Sequence, residues 1–390
     1  MQNFDAPQKI IITCNKWLTP YVLKEVLALG YTPKITFLTG LELWGTLNDC
    51  IILNMHLRCA SQVLYSLKSF FCDNPNNLYD AVLTLPWQNI IAADGYFSVT
   101  SNVYHHTINN NLFANVRVKD AIVDVMSNAN GNRPNSGNDM QGTVIHLHWK
   151  NENAEIFIDT SGESLGRHGY RKIPGKAPML EALAAATILA TNWAGQTAFV
   201  NPMCGSGTLA IEAALIATNR KPGLLRNNYS FMHILGYNHA FYTTQLQKLF
   251  DVIINKPNLK IIASDVSETA IKNTEANAAM ADVNDLITYQ ICDFAKTTLP
   301  TNVGVVMLNP EYGLRLGDID ELEETYARIG HWFKTACKGY TGYIFTGNLA
   351  LGKCLGLKPK KRIEFLNGKI DCRLFEYELY AGTKRVFEVK

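Results

Sequence analysis

The sequence has no CxxC pair, no apolar run long enough to span a bilayer and no strong excess of one charge. Each absence closes a class of function. The nine cysteines are scattered from Cys14 to Cys372. An odd, dispersed set argues against a disulfide scaffold or a zinc site and for reduced thiols. The most apolar helical stretch, residues 183–194, is too short and too polar for a membrane helix, which needs about 20 apolar residues. No basic patch followed by an apolar core opens the chain, so no secretion signal is expected. A soluble cytoplasmic protein is the expectation. Charge is sparse too. Charged residues make up 18% and the net charge is +2, which excludes a basic coat over the whole surface. Any nucleic-acid surface must be local, built from clustered Lys and Arg. There is no internal repeat and no low-complexity tract.

What is present is globular. Hydrophobic residues make up 47% of 390 residues, enough for two or three domains with real cores. Residues 8–14 read as a buried strand, about 20–29 as a helix ended by Gly30, and 35–46 as a strand or hairpin broken at Gly40. Asp49 can cap a helix running to about Phe71. After a turn-rich break at 72–76, helices are expected near 78–92 and 112–127, with strands at 96–104, 143–150 and 155–159. Residues 128–139, NANGNRPNSGND, read as a surface loop. The Gly-rich, basic stretch 160–178 reads as a linker or substrate-facing loop. From Leu180 onward, strands near 198–200, 260–263 and 303–308 each precede a motif and a helix, which predicts a parallel sheet covered on both faces.

The motifs cluster in this last part. FVNPMCGSGTLAIEAALIA, residues 199–217, is a strand ending in a glycine turn that opens an apolar helix. Gly205 and Gly207 let the backbone approach a ligand, and Thr208 starts a helix whose free N–H groups suit an anion. The dinucleotide fingerprint is not met, because Ala210 stands at its third glycine, and no GK[ST] follows. GxG alone is as often a bare turn. Asp265, in IIASDV, ends another apolar strand, where a carboxylate can accept both hydroxyls of a ribose. Asp293, in ICDFA, follows a third strand end and could take an adenine amine with Phe294 beside the ring. Residues 220–258 lengthen the Gly205-to-Asp265 spacing and read as an insertion over the sheet edge.

VGVVMLNPEYGLRLG, residues 303–317, ends a strand in Asn309-Pro310-Glu311-Tyr312. The tetrad resembles the [DN]PPY motif of amino-group methyltransferases. In that motif the Asn amide oxygen and the Pro carbonyl accept from a target NH₂ and hold its nitrogen in line for transfer. The aromatic ring stacks on the base. Glu311 stands where the motif has a second proline, so the backbone is freer and carries a charge.

With these residues in view, the chain resembles the bacterial 23S ribosomal RNA guanine-N2 methyltransferases that carry a THUMP domain before a methylase domain. Residues 57–70, 78–87, 116–124, 158–171, 176–189, 201–214, 221–226, 346–348 and 361–379 match that family in order. The resemblance implies an α/β fold, a Rossmann-like class I methyltransferase domain with a mostly parallel sheet preceded by ferredoxin-like and THUMP domains. The implied bounds are a ferredoxin-like region at 1–72, THUMP at 73–160, a linker at 161–178 and a methyltransferase domain at 179–390. It implies S-adenosylmethionine as cofactor, held by Asn201, Pro202, Gly205, Gly207, Thr208, Asp265, Val266, Asp293 and Phe294. Asn201 replaces an acidic residue of the family pattern. Asn309, Pro310 and Tyr312 take the target-amine and stacking roles. Arg117, Lys119, Arg167 and Arg171 become candidate RNA contacts, and large-subunit ribosomal RNA the expected partner.

Other features have plainer readings. His146 and His148 alternate on a strand but lack a third ligand, so no metal is expected. Residues 358–362, KPKKR, form a basic run that could follow a phosphate backbone or lie in solvent. Cys204 reads as packing rather than as a nucleophile. Two further functions stay open: an adenine-N6 methyltransferase of DNA or RNA, and a catalytically weakened RNA-binding or ribosome-assembly protein, the latter because of Asn201 and Glu311.

Overall fold

A computed structural model describes residues 4–106, 108, 110–131, 133–173, 179–256, 258–313 and 319–380. Residues 174–178 of the expected linker and 314–317 of the fourth motif lie outside the described residues. The first elements are β1 (Gln8–Thr13), α1 (Thr19–Ala28), β2 (Ile35–Phe37), β3 (Gly40–Gly45), α2 (Leu47–His56) and β4 (Gln62–Phe71). Then come α3 (Pro75–Leu83), β5 (Tyr96–Tyr104), α4 (Asn111–Asn130), β6 (Asn135–Gly137), β7 (Thr143–Lys150) and β8 (Asn153–Asp159). They continue with α5 (Glu181–Ala190), β9 (Phe199–Pro202), α6 (Thr208–Ala217), α7 (His239–Asp251), β10 (Ile261–Asp265), α8 (Glu268–Met280) and β11 (Ile287–Ile291). The last are β12 (Val305–Leu308), α9 (Ile319–Thr335), β13 (Thr341–Thr346), α10 (Leu349–Cys354), β14 (Lys361–Asn367) and β15 (Ile370–Glu378). They fall into two compact units, Met1–His168 with Lys221–Val252, and Gly169–Arg220 with Ile253–Lys390.

The first unit is built on one eight-stranded sheet, ordered β2-β3-β1-β4-β8-β7-β5-β6. The expected helix to Phe71 is corrected here. Its N-cap is Thr46, with Asp49 three residues on completing a capping box, and it stops at His56. Gln62–Phe71 is instead a strand between β1 and β8, with Ile10 opposite Tyr65 and Leu64 opposite Asp159. Burying aromatic and apolar residues in a sheet outweighed their helical spacing. The loop expected at 128–139 is shorter. Gly131, at φ +72°, ends α4, and Asn135–Gly137 pairs in parallel with β5. The segment expected over a sheet edge also lies elsewhere. Lys221–Val252 packs into this unit, where Ser230 Oγ accepts from the Val144 N–H at 2.8 Å and Thr143 Oγ1 donates to the His233 carbonyl at 2.9 Å. The backbone of Met55 approaches Gly223 so closely that a Cβ there would lie 2.6 Å from the Met55 carbonyl oxygen. The stretch from Ser161 to Tyr170 is not a free linker, since Ser161, Leu165, His168 and Tyr170 are buried.

The second unit holds a seven-stranded sheet, ordered β11-β10-β9-β12-β13-β15-β14. Its first five strands are parallel, and β15 runs antiparallel to both β13 and β14. Every residue of β9 and β12 is buried, as continuous apolar strands covered on both faces must be. Val200, Val306 and Leu308 pack with Ile329, Trp332 and Phe333 of α9. Gly304 lets β9 and β12 close, since a Cβ there would sit 2.0 Å from the Ala198 carbonyl oxygen. The chain leaves β9 in one direction to β10 and β11, then returns to β12 on its other side. Such a reversal opens a crevice at the strand carboxyl ends, where open α/β sheets bind ligands. Among the described residues, no helix is long and apolar enough to cross a membrane.

Candidate active site at the strand carboxyl ends

The glycine turn after β9 is held in a shape that side chains resist. Met203, Gly205 and Gly207 all have positive φ, at 53°, 58° and 80°. Gly207 is the N-cap of α6, and no side chain caps that helix, so its first N–H groups have no side-chain partner. A Cβ on Gly205 would meet nothing within 4 Å, whereas one on Gly207 would strike Thr274 Cγ2 at 2.3 Å. The Gly205 N–H donates to Asp265 Oδ2 at 3.0 Å, and the Ser267 N–H to Asp265 Oδ1 at 2.9 Å. Two motifs sixty residues apart therefore meet directly. Asn201 points sideways, where its amide donates to the Met307 carbonyl at 2.9 Å and ties β9 to β12. The acidic residue of the family pattern, ionised, could not make that bond. Asn201 Oδ1 is buried and has no partner. Pro202, the last residue of β9, is buried.

Two residues of α8 escaped the sequence reading. Thr274 donates to the Gly205 carbonyl at 2.9 Å. Asn277 donates to the Ser206 carbonyl at 3.2 Å and accepts from the Lys172 and Ile173 N–H groups. Their signal was present, because both polar residues lie on the buried face marked by Ile271 and Ala278. Cys204 lies beside Thr274, and burial pushes its thiol pKa up to about 12. That supports packing over nucleophilic attack.

Asp293 N-caps a short turn through the Ala295 N–H and pairs with Arg328 at 2.8 Å. Partial burial pulls its pKa up, but the Arg328 guanidinium and the Ala295 N–H outweigh that and hold it below the usual range. Phe294 departs from its expected place. Its ring is 5% exposed in the core, edge-on to Trp332 with Arg328 across it, and so presents no face to a ligand. The apolar surface at this edge comes from Val266, 75% exposed, and Ile291 on the neighbouring strand end.

The tetrad follows β12. Asn309 Oδ1 is buried without a hydrogen-bond partner among the described residues, and Pro310 is buried. Glu311 is exposed, so its charge is not carried into a pocket. Tyr312 is half-buried, and its hydroxyl accepts from Asn367 Nδ2 at 2.9 Å.

Of the four expected RNA contacts, Arg117, Lys119 and Arg167 belong to the first unit and Arg171 to the second. Arg171 is engaged inside the second unit, pairing with Glu181 at 3.0 Å and donating to the Met179 carbonyl and Thr208 Oγ1. Its guanidinium braces α5 against the start of α6, which removes it as a phosphate contact. In the first unit, Arg117 stacks over Tyr79, donates to Asn76 Oδ1 at 3.2 Å and lines a shallow cleft with Phe113. Lys119 pairs with Asp120 at 3.1 Å, and Arg167 is exposed. His146 has both ring nitrogens bonded, to Thr100 and Asn102. No group of three or more metal-ligating side chains occurs among the described residues. In the basic run, Lys360 and Lys361 both reach Glu376.

The chain is similar to known proteins over nearly its whole length. Residues 168–376 match the family described as RMKL-like, methyltransferase domain. Residues 72–159 match the THUMP domain and 9–64 the RlmL ferredoxin-like domain. A ribosomal RNA large subunit methyltransferase K/L of Syntrophotalea carbinolica is 33% identical over 387 residues, covering 96% of this chain and 54% of that protein. Its namesake in Cellvibrio japonicus is 32% identical over 380 residues, covering 94% and 50%. The chain thus spans about half the length of the curated relatives it matches. Among solved structures, one described as "a possible methylase" of Clostridium difficile 630 superposes with a TM-score of 0.86 at 26% identity, covering 97% of this chain and 100% of that one. Another, titled "a predicted N6-adenine-specific DNA methylase" of Listeria monocytogenes, gives 0.84 at 28%, covering 97% of each.

Proposed function

Because the chain belongs to the RMKL-like methyltransferase-domain family, we propose that it transfers a methyl group from S-adenosylmethionine to the exocyclic N2 amine of a guanine in 23S ribosomal RNA. The observation that carries this reading is Asn309, whose amide oxygen, at the end of β12, is buried without a partner among the described residues. An unpaired acceptor there is costly unless a donor arrives during function.

The residues present fit the cofactor. The turn at Gly205 is open above its backbone, and the uncapped start of α6 favours a carboxylate. Asp265 uses its oxygens on two N–H groups and keeps further lone pairs for ribose hydroxyls. Val266 offers an exposed apolar side chain for the adenine, and Asp293 an anionic acceptor for its amine. The bound cofactor supplies a methyl group activated on sulfonium sulfur. Asn309 Oδ1 and the Pro310 carbonyl then accept the two N–H groups of the target amine and orient its lone pair, while Tyr312 stacks on the base. The extra amine proton leaves to solvent after transfer. The THUMP domain, with Arg117, Lys119 and Arg167, recruits large-subunit RNA in this reading. That substrate places the protein in the cytoplasm.

The test is a nucleoside-resolved mass-spectrometric map of large-subunit ribosomal RNA from host cells with and without the gene. The expected result is the loss of one N2-methylguanosine. The tetrad and the Listeria methylase favour a second reading, adenine N6. Loss of N6-methyladenosine from DNA or RNA would establish it in place of guanine. Unchanged nucleic acid would turn attention to a weakened, RNA-binding protein. In that case Glu311→Pro should raise transfer by the purified protein.

A further inference from the structure

Tyr312 is held from the far end of the chain. Fifty-five residues separate it from Asn367, yet Asn367 Nδ2 donates to its hydroxyl at 2.9 Å. Asn367 pairs with Ile370 across the β14–β15 hairpin, leaving only Gly368 and Lys369 in the turn. Gly368 has φ +63°, and two-residue hairpin turns are rigid. On the other side the ring rests on Gly347, where a Cβ would lie 3.1 Å from Tyr312 Cε2 and 2.7 Å from Ile370 Cγ2. The hydroxyl is thus held, and the half-buried ring is backed by Gly347.

The tetrad needs such a tether. A proline at its third position would stiffen the backbone between Asn309 and Tyr312, and Glu311 does not. Without restraint the ring would lose orientation relative to the amide three residues before it. We infer that Asn367 is a positioning residue, which sets the Tyr312 ring for stacking on the target base and supplies from the hairpin the rigidity that the tetrad lacks. The inference rests on the methyltransferase reading above.

The full chain is assayed with radiolabelled S-adenosylmethionine and ribosomal RNA isolated from cells lacking the gene. Asn367→Ala and Tyr312→Phe each remove the bond, and each should lower kcat/KM for RNA by about 3- to 10-fold, the worth of one hydrogen bond. The double variant should be no worse than either alone. Asn367→Asp keeps the turn chemistry and can accept from the hydroxyl, so its activity should stay within about twofold of wild type. Cofactor affinity, measured by calorimetry, should not change in any of them. Losses that multiply in the double variant, or an Asn367→Ala protein with wild-type kcat/KM, overturn the positioning role alone. So does a fall in cofactor affinity that matches the fall in rate, since a collapsed hairpin produces that. A wild-type protein that transfers no methyl group to this RNA overturns the functional reading, and the positioning role with it.

Discussion

At the residue scale the site depends on a few atoms whose bonding is incomplete. Asn309 Oδ1 is one. Asn309→Ala should lower methyl transfer by about 10²–10³-fold, the usual loss when a positioned polar group near reacting atoms is removed. Calorimetry should show unchanged cofactor affinity, and wild-type rates would refute the clamp. Cys204 behaves in the opposite way. With its thiol pKa raised to about 12, it should resist iodoacetamide near neutral pH in the folded protein and react after denaturation. Rapid labelling of the native protein, read by peptide mass spectrometry, would restore a nucleophilic role. The sequence pattern put Gly205, Asp265 and Asn309 at or just after strand ends, where the fold has them, because strand ends and glycine turns are local features. It misplaced Phe294 and Arg171, because their partners Trp332 and Glu181 are chosen only by packing.

At the scale of elements, the glycine turn and α8 act as one device. Thr274 fills the space where a Gly207 side chain would go and bonds the Gly205 carbonyl. Gly207→Ala places a Cβ against a β-branched residue at a φ that disfavours it. Expected is a melting temperature lowered by more than in Gly205→Ala, whose added Cβ has open space around it. Equal effects of the two would show that Thr274 does not set the turn. Most elements were legible. The parallel strands read as buried apolar runs, whereas the caps at Thr46 and Gly131 lie a few residues from where the sequence reading put those helix ends. The strand Gln62–Phe71 was not, because its apolar residues fit helical spacing as well as a sheet. Only pairing with β1 and β8 decides between them.

At the scale of the whole molecule, buried titratable groups set the pH range of stability. Burial lowers the pKa of His56 and of His146 to about 4, against about 6.5 when unfolded. Both stay neutral in the fold, so the stability they confer is present above about 6.5 and is lost as pH falls towards 4. Burial raises Asp159 to about 6, which favours the fold on the acid side of that window and opposes them. Glu25, also raised by burial, opposes them as well, whereas His148 and His233, also lowered by burial, act with them. Unfolding in urea should become easier between about pH 6.5 and 4, by on the order of 3 kcal/mol per histidine at most. His146→Gln should flatten the slope, and an unchanged slope would exclude His146 as its source. By itself the sequence determined the class of the molecule, most of its strands and turns along the chain, and the identity of the polar groups at the strand ends, because periodicity, capping and glycine conformation are local. The tertiary structure decided which distant residues share a bond. It moved Lys221–Val252 into the first unit, brought Gly205 to Asp265, and set Asn367 against Tyr312. Those contacts depend on sheet order and close packing, and no local pattern encodes which surfaces will meet.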